Sequence, residues 1–167
     1  IRSGNIVVKA TSESGKNSRN YVVQLKDPSY IPPAADSDIR SEFYYFPEGA
    51  HQGDYTLMYA TADGIDSVMK FDISDLENIE KAELSFKVAY VAKGTDVLKI
   101  YKADGTDWNE AKMLSETAPV KGELIGEIEV SADSAYKIDL TDYINEIADS
   151  QEFMNVIIST TNGTTTI

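Results

Sequence analysis

Seven consecutive residues, Asp104-Gly105-Thr106-Asp107-Trp108-Asn109-Glu110, place three carboxylates and an amide in one short loop. Loops this rich in oxygen suit calcium, a hard cation that takes about six to eight oxygen ligands. Asp104, Asp107 and Glu110 are therefore candidate ligands for a structural calcium ion. Their spacing is not that of an EF-hand, whose loop ends in a bidentate Glu. The same residues also read without a metal, with Asp104-Gly105 as a turn, Trp108 packed and Glu110 accepting backbone hydrogen bonds. A second acidic group, Asp36, Asp38 and Asp139, forms if the first and late strands meet.

Sugar chemistry asks for other residues. An aromatic ring stacks on the apolar C–H face of a sugar, while neighbouring polar groups fix its hydroxyls. The run Phe43-Tyr44-Tyr45-Phe46 leads into Pro47-Glu48-Gly49-Ala50-His51-Gln52, a loop of mixed donors and acceptors, with Tyr55 close behind. In a strand, Tyr44 and Phe46 share one face and Phe43 and Tyr45 the other. Tyr44, His51, Gln52 and Tyr55 are the candidate ligand-binding surface. Tyrosine also suits half-buried strands for its own sake, and this accounts for most of the ten present. Trp108, the single tryptophan, reads as a packing residue.

Catalytic patterns are missing. There is no Gly-x-Ser-x-Gly elbow, no His-Glu-x-x-His and no phosphate-binding loop. With one histidine, His51, and no cysteine, most hydrolytic triads lack a base, and nothing among the 28 acidic residues singles out an acid and a nucleophile. The expectation is a protein that is not an enzyme. A net charge of −13 repels nucleic acid phosphates. The lack of cysteine rules out a disulfide framework or thiolate zinc site. No apolar run approaches the roughly 18 residues of a membrane span. The first residue, Ile1, is not Met and opens no signal peptide, so a mature product or excised piece is expected.

The elements that must position these residues are strands. Period-two alternation puts Ala82, Leu84, Phe86, Val88 and Tyr90 on one face, and Met69, Phe71 and Ile73 opposite Lys70 and Asp72. Leu98 and Ile100, then Leu124, Ile128 and Val130, then Tyr136, Ile138 and Leu140 repeat the pattern. Phe153 to Ile158 is apolar on both faces, as a central strand is. Asp63-Gly64, Lys93-Gly94, Asp104-Gly105 and Lys121-Gly122 supply turns. One short helix is expected, capped by Thr141 with Tyr143, Ile144 and Ile147 as its apolar stripe, and Ser74 to Lys81 reads as a single helical turn. This spacing of short strands predicts an all-β sandwich.

Residues 1–29 differ from the rest. Ile6, Val8 and Ala10 alternate, a polar turn follows, and Tyr21, Val23 and Leu25 alternate again, which predicts a hairpin with a Pro-stiffened linker behind it. The pattern VVKATSESGKNSRNYVVQL resembles the last two strands of bacterial cadherin-like or immunoglobulin-like repeats. The alternative is a first pair of strands belonging to the main sandwich. The expected division is therefore 1–29, hairpin and linker, and 30–167, sandwich.

Six segments, in order, carry a wider resemblance: Ala35-Asp36-Ser37-Asp38-Ile39-Arg40, Gln52-Gly53-Asp54-Tyr55-Thr56-Leu57, Val68-Met69-Lys70-Phe71-Asp72-Ile73-Ser74, Lys81-Ala82-Glu83-Leu84, Trp108-Asn109-Glu110 and Ile138-Asp139-Leu140-Thr141. Together they resemble the DNRLRE-type domain, grouped with carbohydrate-binding module family 96. The resemblance implies a jelly-roll-like β-sandwich that serves as an accessory module of secreted polysaccharide-degrading enzymes or as a repeat of cell-surface proteins. The family pattern usually runs through a late polar turn into one final strand, whereas here Thr164-Thr165-Thr166-Ile167 is all that follows. An open sheet edge that pairs with a strand of another chain is the expectation drawn from that departure.

The resemblance makes the expected function that of a non-catalytic carbohydrate-binding module of an extracellular or bacterial cell-surface protein. It would bind a polysaccharide beside attached catalytic or surface domains, with neither nucleic acid nor membrane insertion involved. The alternative is a structural or adhesive surface module that associates through its sheet edges and binds no glycan.

Overall fold

The computed structural model describes residues 30–39, 58–105, 108–110, 113 and 116–167, together with the backbone of 4–11 and 18–25. The chain divides into two units, Ile1–Pro32 and Pro33–Ile167. In the first, β1 (Gly4–Thr11) pairs antiparallel with β2 (Ser18–Leu25), from Gly4 opposite Leu25 to Thr11 opposite Ser18. This is the expected hairpin.

The second unit is an all-β sandwich with, among its described residues, one short helix. Its larger sheet runs β3 (Ala35–Ile39), β5 (Asp66–Asp72), β11 (Phe153–Thr160), β8 (Thr95–Asp104), β9 (Val120–Ser131). The second layer holds β10 (Ser134–Asp139) paired with β6 (Glu83–Val88), and β12 (Thr164–Thr166) between β4 (Tyr59–Thr61) and β7 (Tyr90–Val91). Only Ala89 separates β6 from β7, so one run of chain serves both small sheets.

The strand apolar on both faces is indeed central. β11 pairs with β5 on one side and β8 on the other, and Met154 to Thr160 are all buried. Its alternate residues face two separate apolar regions. Val156 and Ile158 lie on the side of Met69 and Ile100, towards the second layer. There Gly126 of β9 comes so close to β10 that a Cβ at this position would sit 2.5 Å from Ile138 Cδ1. Ile157 and Val68 face the other way, in a cluster with Ile39, Ala103, Trp108 and Met113.

Buried polar side chains tie the layers together. Asp96, 3% exposed, accepts hydrogen bonds from the Thr160 hydroxyl of β11 (2.6 Å) and the Thr165 hydroxyl of β12 (2.7 Å). Its own neighbour, Val97, donates a backbone N–H to it at 2.8 Å. Asp38 and Ser67, opposite each other on β3 and β5, both reach the backbone of Tyr59 on β4. The Asp38 carboxylate accepts the Tyr59 N–H at 2.7 Å, and the Ser67 hydroxyl donates to the Tyr59 carbonyl at 3.0 Å. Polar groups this deeply buried stabilise a fold only when satisfied, and these are.

Several sequence expectations need correction. Tyr90 is 53% exposed, because the alternation of β6 shifts at Ala89, whose N–H turns to the Thr166 carbonyl, and Val91 points inward in its place. Leu124 is 44% exposed, because register shifts in the β8–β9 ladder pair it with Tyr101 and break the inward row of Val130 and Ile128. Residues 74–81 form no helical turn; a tight turn from Ile73 to Leu76 is followed by irregular chain. Nor is the second layer short of a strand. β12 pairs on both sides, with β4 through Thr164 to Thr166 and with β7 through Thr165 and Thr166. The open edge expected there is occupied from within the chain.

Helix α1 (Thr141–Ile147) buries Tyr143, Ile144 and Ile147 as its apolar spacing requires. Thr141 is its first residue and not its cap, since Leu140 occupies the N-cap position without a side-chain hydrogen bond. The Thr141 hydroxyl instead accepts the Ala82 N–H at 2.9 Å, fastening the helix start to the approach of β6.

Candidate functional site

Tyr44, His51, Gln52, Tyr55 and Asp107 lie outside the described residues. Asp104 ends β8, next to Tyr143, whose hydroxyl it pushes further up after burial has raised it. Glu110 points to the opposite edge of the sheet, where its Oε2 accepts the Asp36 N–H at 3.4 Å. Among the described residues no three of His, Cys, Asp or Glu gather around a metal-sized space.

The second acidic group does not assemble as expected. Asp36 and Asp38 share β3, but Asp139 belongs to β10 in the other layer, opposite Glu83. Asp139 Oδ1 accepts both the backbone N–H (2.9 Å) and the hydroxyl (2.6 Å) of Thr141. Asp72 treats Ser74 in the same way, at 3.1 and 2.6 Å. The segments Phe71-Asp72-Ile73-Ser74 and Ile138-Asp139-Leu140-Thr141 thus use one device, a carboxylate that folds the chain back as it leaves a strand.

These hydrogen bonds hold the Asp72 and Asp139 carboxyls below their ordinary value, the hydroxyl donors contributing most. A lowered folded pKa gives stability above the ordinary carboxyl range that is lost as pH falls through the folded value. The double variant Asp72→Asn, Asp139→Asn is therefore expected to lose less stability than the parent between neutral pH and acid below about pH 4. Urea midpoints measured across that range check it, and parallel curves would contradict it.

Asp36 behaves oppositely. Burial, then Glu110, then Asp38 push its carboxyl up. Its ionised form costs stability at neutral pH, and the cost fades as pH falls through the raised pKa. Asp36→Asn is expected to raise the melting temperature at neutral pH and to approach the parent in acid. A lower melting temperature at neutral pH would refute this account.

Trp108 does pack. It is 7% exposed, its indole N–H donates to Asn155 Oδ1 at 2.9 Å, and Asn155 is itself 1% exposed. Lys70 covers the ring with its amine 4.5 Å from the centroid and donates to the Trp108 carbonyl at 3.1 Å. The tryptophan is thus unavailable as a sugar platform.

What the described surface does offer is a groove of about 770 Å³ where the two layers part beyond Gly126. Glu123, Leu124 and Ile125 of β9 form one wall, and Asp139 to Asp142 form the other. Lys102 and Tyr143 lie between them, with Glu146 alongside and Glu80 and Lys81 at the end. The Lys102 amine is held at 2.6 Å from Glu146 and 3.0 Å from Glu123, 5.4 Å from the Tyr143 ring centroid. Both carboxylates raise its pKa, Glu146 the more, so it stays charged and paired. Sequence reasoning did not find this site. Its one signal was a lysine on the inward row Leu98, Ile100, Lys102.

Sandwich and groove together define a β-sandwich domain whose open polar cleft lies between layers, with its tryptophan committed to packing. The family profile of carbohydrate-binding module family 96 matches residues 52–167, more than half of the chain, and the chain belongs to that family. Comparison with curated proteins returns no match. Among the described residues no helix is long and apolar enough to cross a membrane.

Proposed function

We propose that this chain is a non-catalytic carbohydrate-binding module of an extracellular or bacterial cell-surface protein. By holding a polysaccharide it keeps attached catalytic or surface domains near their target. Membership of the carbohydrate-binding family carries the reading. Tyr44 and Tyr55 serve as the stacking surface and His51 and Gln52 as the polar groups that fix hydroxyls. A structural calcium ion in the loop of Asp104 and Asp107 is part of the same proposal, in a supporting role, with Glu110 engaged instead by the Asp36 N–H.

A glycan array read with calcium and with a chelator tests this. Saturable binding is expected to at least one polysaccharide class, weakened about tenfold or more by Tyr44→Ala or Tyr55→Ala, a loss of at least about 1.4 kcal/mol. Circular dichroism should show both variants folded. Calcium should raise the melting temperature of the parent and not that of Asp107→Ala. Silence across the array would overturn the carbohydrate reading.

A further inference from the structure

We propose that Asn162-Gly163 is a site of spontaneous deamidation, a modification that gives the second layer of the sandwich a finite working life. This holds whatever the module binds. Asn162 is alone among the asparagines in preceding a glycine. The usual reason for such a pair is a hairpin turn whose residues need positive φ. Here neither residue has a positive φ, and no hydrogen-bonded turn closes over residues 161–163. A Cβ at position 163 would also fit, with Asp96 Oδ2 at 3.9 Å and Ala92 Cβ at 4.0 Å, both ordinary contacts. The fold does not require glycine there, and turn geometry leaves the reactivity of the pair unopposed.

Both reacting groups are free to meet. Asn162 is exposed. Among the described residues its side-chain amide makes no hydrogen bond, and the Gly163 N–H has no acceptor. The Gly163 nitrogen gives up its proton to hydroxide and attacks Asn162 Cγ. A new N–C bond forms, the bond from Cγ to the side-chain nitrogen breaks, and ammonia leaves with a proton taken from water. Water then opens the cyclic imide at either carbonyl. One opening gives aspartate. The other, which predominates, gives isoaspartate, whose main chain runs through Cγ and whose α-carboxyl is free. Asp63-Gly64, in the turn after β4, is held back from the same cyclisation, because the Gly64 N–H donates to the Thr61 carbonyl at 3.1 Å.

The pair joins β11 to β12, and the Gly163 carbonyl accepts the Ala62 N–H at 2.8 Å. Thr164, next along, accepts the Ala92 N–H at 3.0 Å and pairs with Thr61. Isoaspartate lengthens the main chain by one carbon just ahead of these bonds, so their register cannot all be kept. It also sets a new carboxylate one residue from the backbone that Asp96 Oδ2 approaches, and like charges oppose each other. Strand β12 then loosens from β4 and β7.

Incubation of the whole chain in warm, mildly alkaline buffer, followed by peptide mapping with mass spectrometry, tests the inference. Residue 162 is expected to gain the mass that separates a carboxyl from an amide, and to be labelled by an isoaspartyl methyltransferase. The aged protein should melt at a lower temperature than the fresh one. Gly163→Ala should fold with the parent's melting temperature and slow the reaction about tenfold or more, because a Cβ crowds the attacking nitrogen. The same incubation in urea gives the rate of the open chain.

An Asn162 that stays intact in the folded protein while it reacts in urea would overturn the proposal. So would an equal rate in Gly163→Ala. Full conversion with an unchanged melting temperature would overturn the effect on the second layer while the modification stands.

Discussion

Trp108→Ala is expected to destabilise the sandwich by about 4 kcal/mol, as removal of a large buried aromatic does. Two losses add. The cluster of Ile39, Val68, Ala103, Met113 and Ile157 loses the ring that covers one face of the five-stranded sheet. Asn155, fully enclosed on the central strand, loses the indole N–H that satisfies its Oδ1. Trp108→Phe separates the two, since it keeps most of the ring and leaves the amide unsatisfied, and should cost about 2 kcal/mol. Urea unfolding by circular dichroism measures both. Since such domains have only about 5–15 kcal/mol in total, the alanine variant should show a large shift in midpoint. A loss below about 1 kcal/mol would mean that the loop carrying Trp108 does not contribute to the folded core.

Asp96→Ala is the second large effect, expected at about 3 kcal/mol. Its carboxyl oxygens serve the hydroxyls of Thr160 and Thr165 and the N–H of Val97, and both threonines are buried. Alanine leaves these donors enclosed without an acceptor. Asp96→Asn should cost much less, about 1 kcal/mol, because its amide oxygen keeps the two bonds from Val97 and Thr160 and the Thr165 hydroxyl can turn to accept from the amide nitrogen. Chemical denaturation of the pair gives the comparison. Equal losses in both variants would show that charge at this position matters and hydrogen-bond geometry does not.

The period of two made the framework legible. Leu84, Phe86 and Val88 face inward as read, and the doubly apolar run from Phe153 is the centre of its sheet. Asp72 closes the turn that follows it through Ser74. Alternation carried across Ala89 and down β9 failed, because a one-residue shift in register moves a side chain to the other face without altering composition. Tyr90 and Leu124 show that shift. β12 was hard to read for a different reason: three threonines carry little apolar signal, yet Thr165 is fully buried.

The row Asp96, Leu98, Ile100, Lys102 held more information than was drawn from it. A charge at either end of an inward-facing row needs a partner. Asp96 finds two threonines more than sixty residues away in sequence and Lys102 finds Glu123 and Glu146. Pattern alone announces that partners exist, while their identity depends on which strands the topology brings together. The groove was illegible for that reason.

The central place of β12 has a consequence for how the protein is made. Thr164 pairs with Thr61, about a hundred residues earlier, and contacts of such sequence separation form late and slow folding. A chain emerging from the ribosome can complete β10 on β6 and still lack the strand that joins β4 to β7. Until residues 164–167 leave the exit tunnel, Asp96 has only one of its two threonines and the nascent module exposes two unpaired strand edges. Synthesis stalled upstream of that point is expected to leave a protease-sensitive chain, and release of those few residues to let the second layer close.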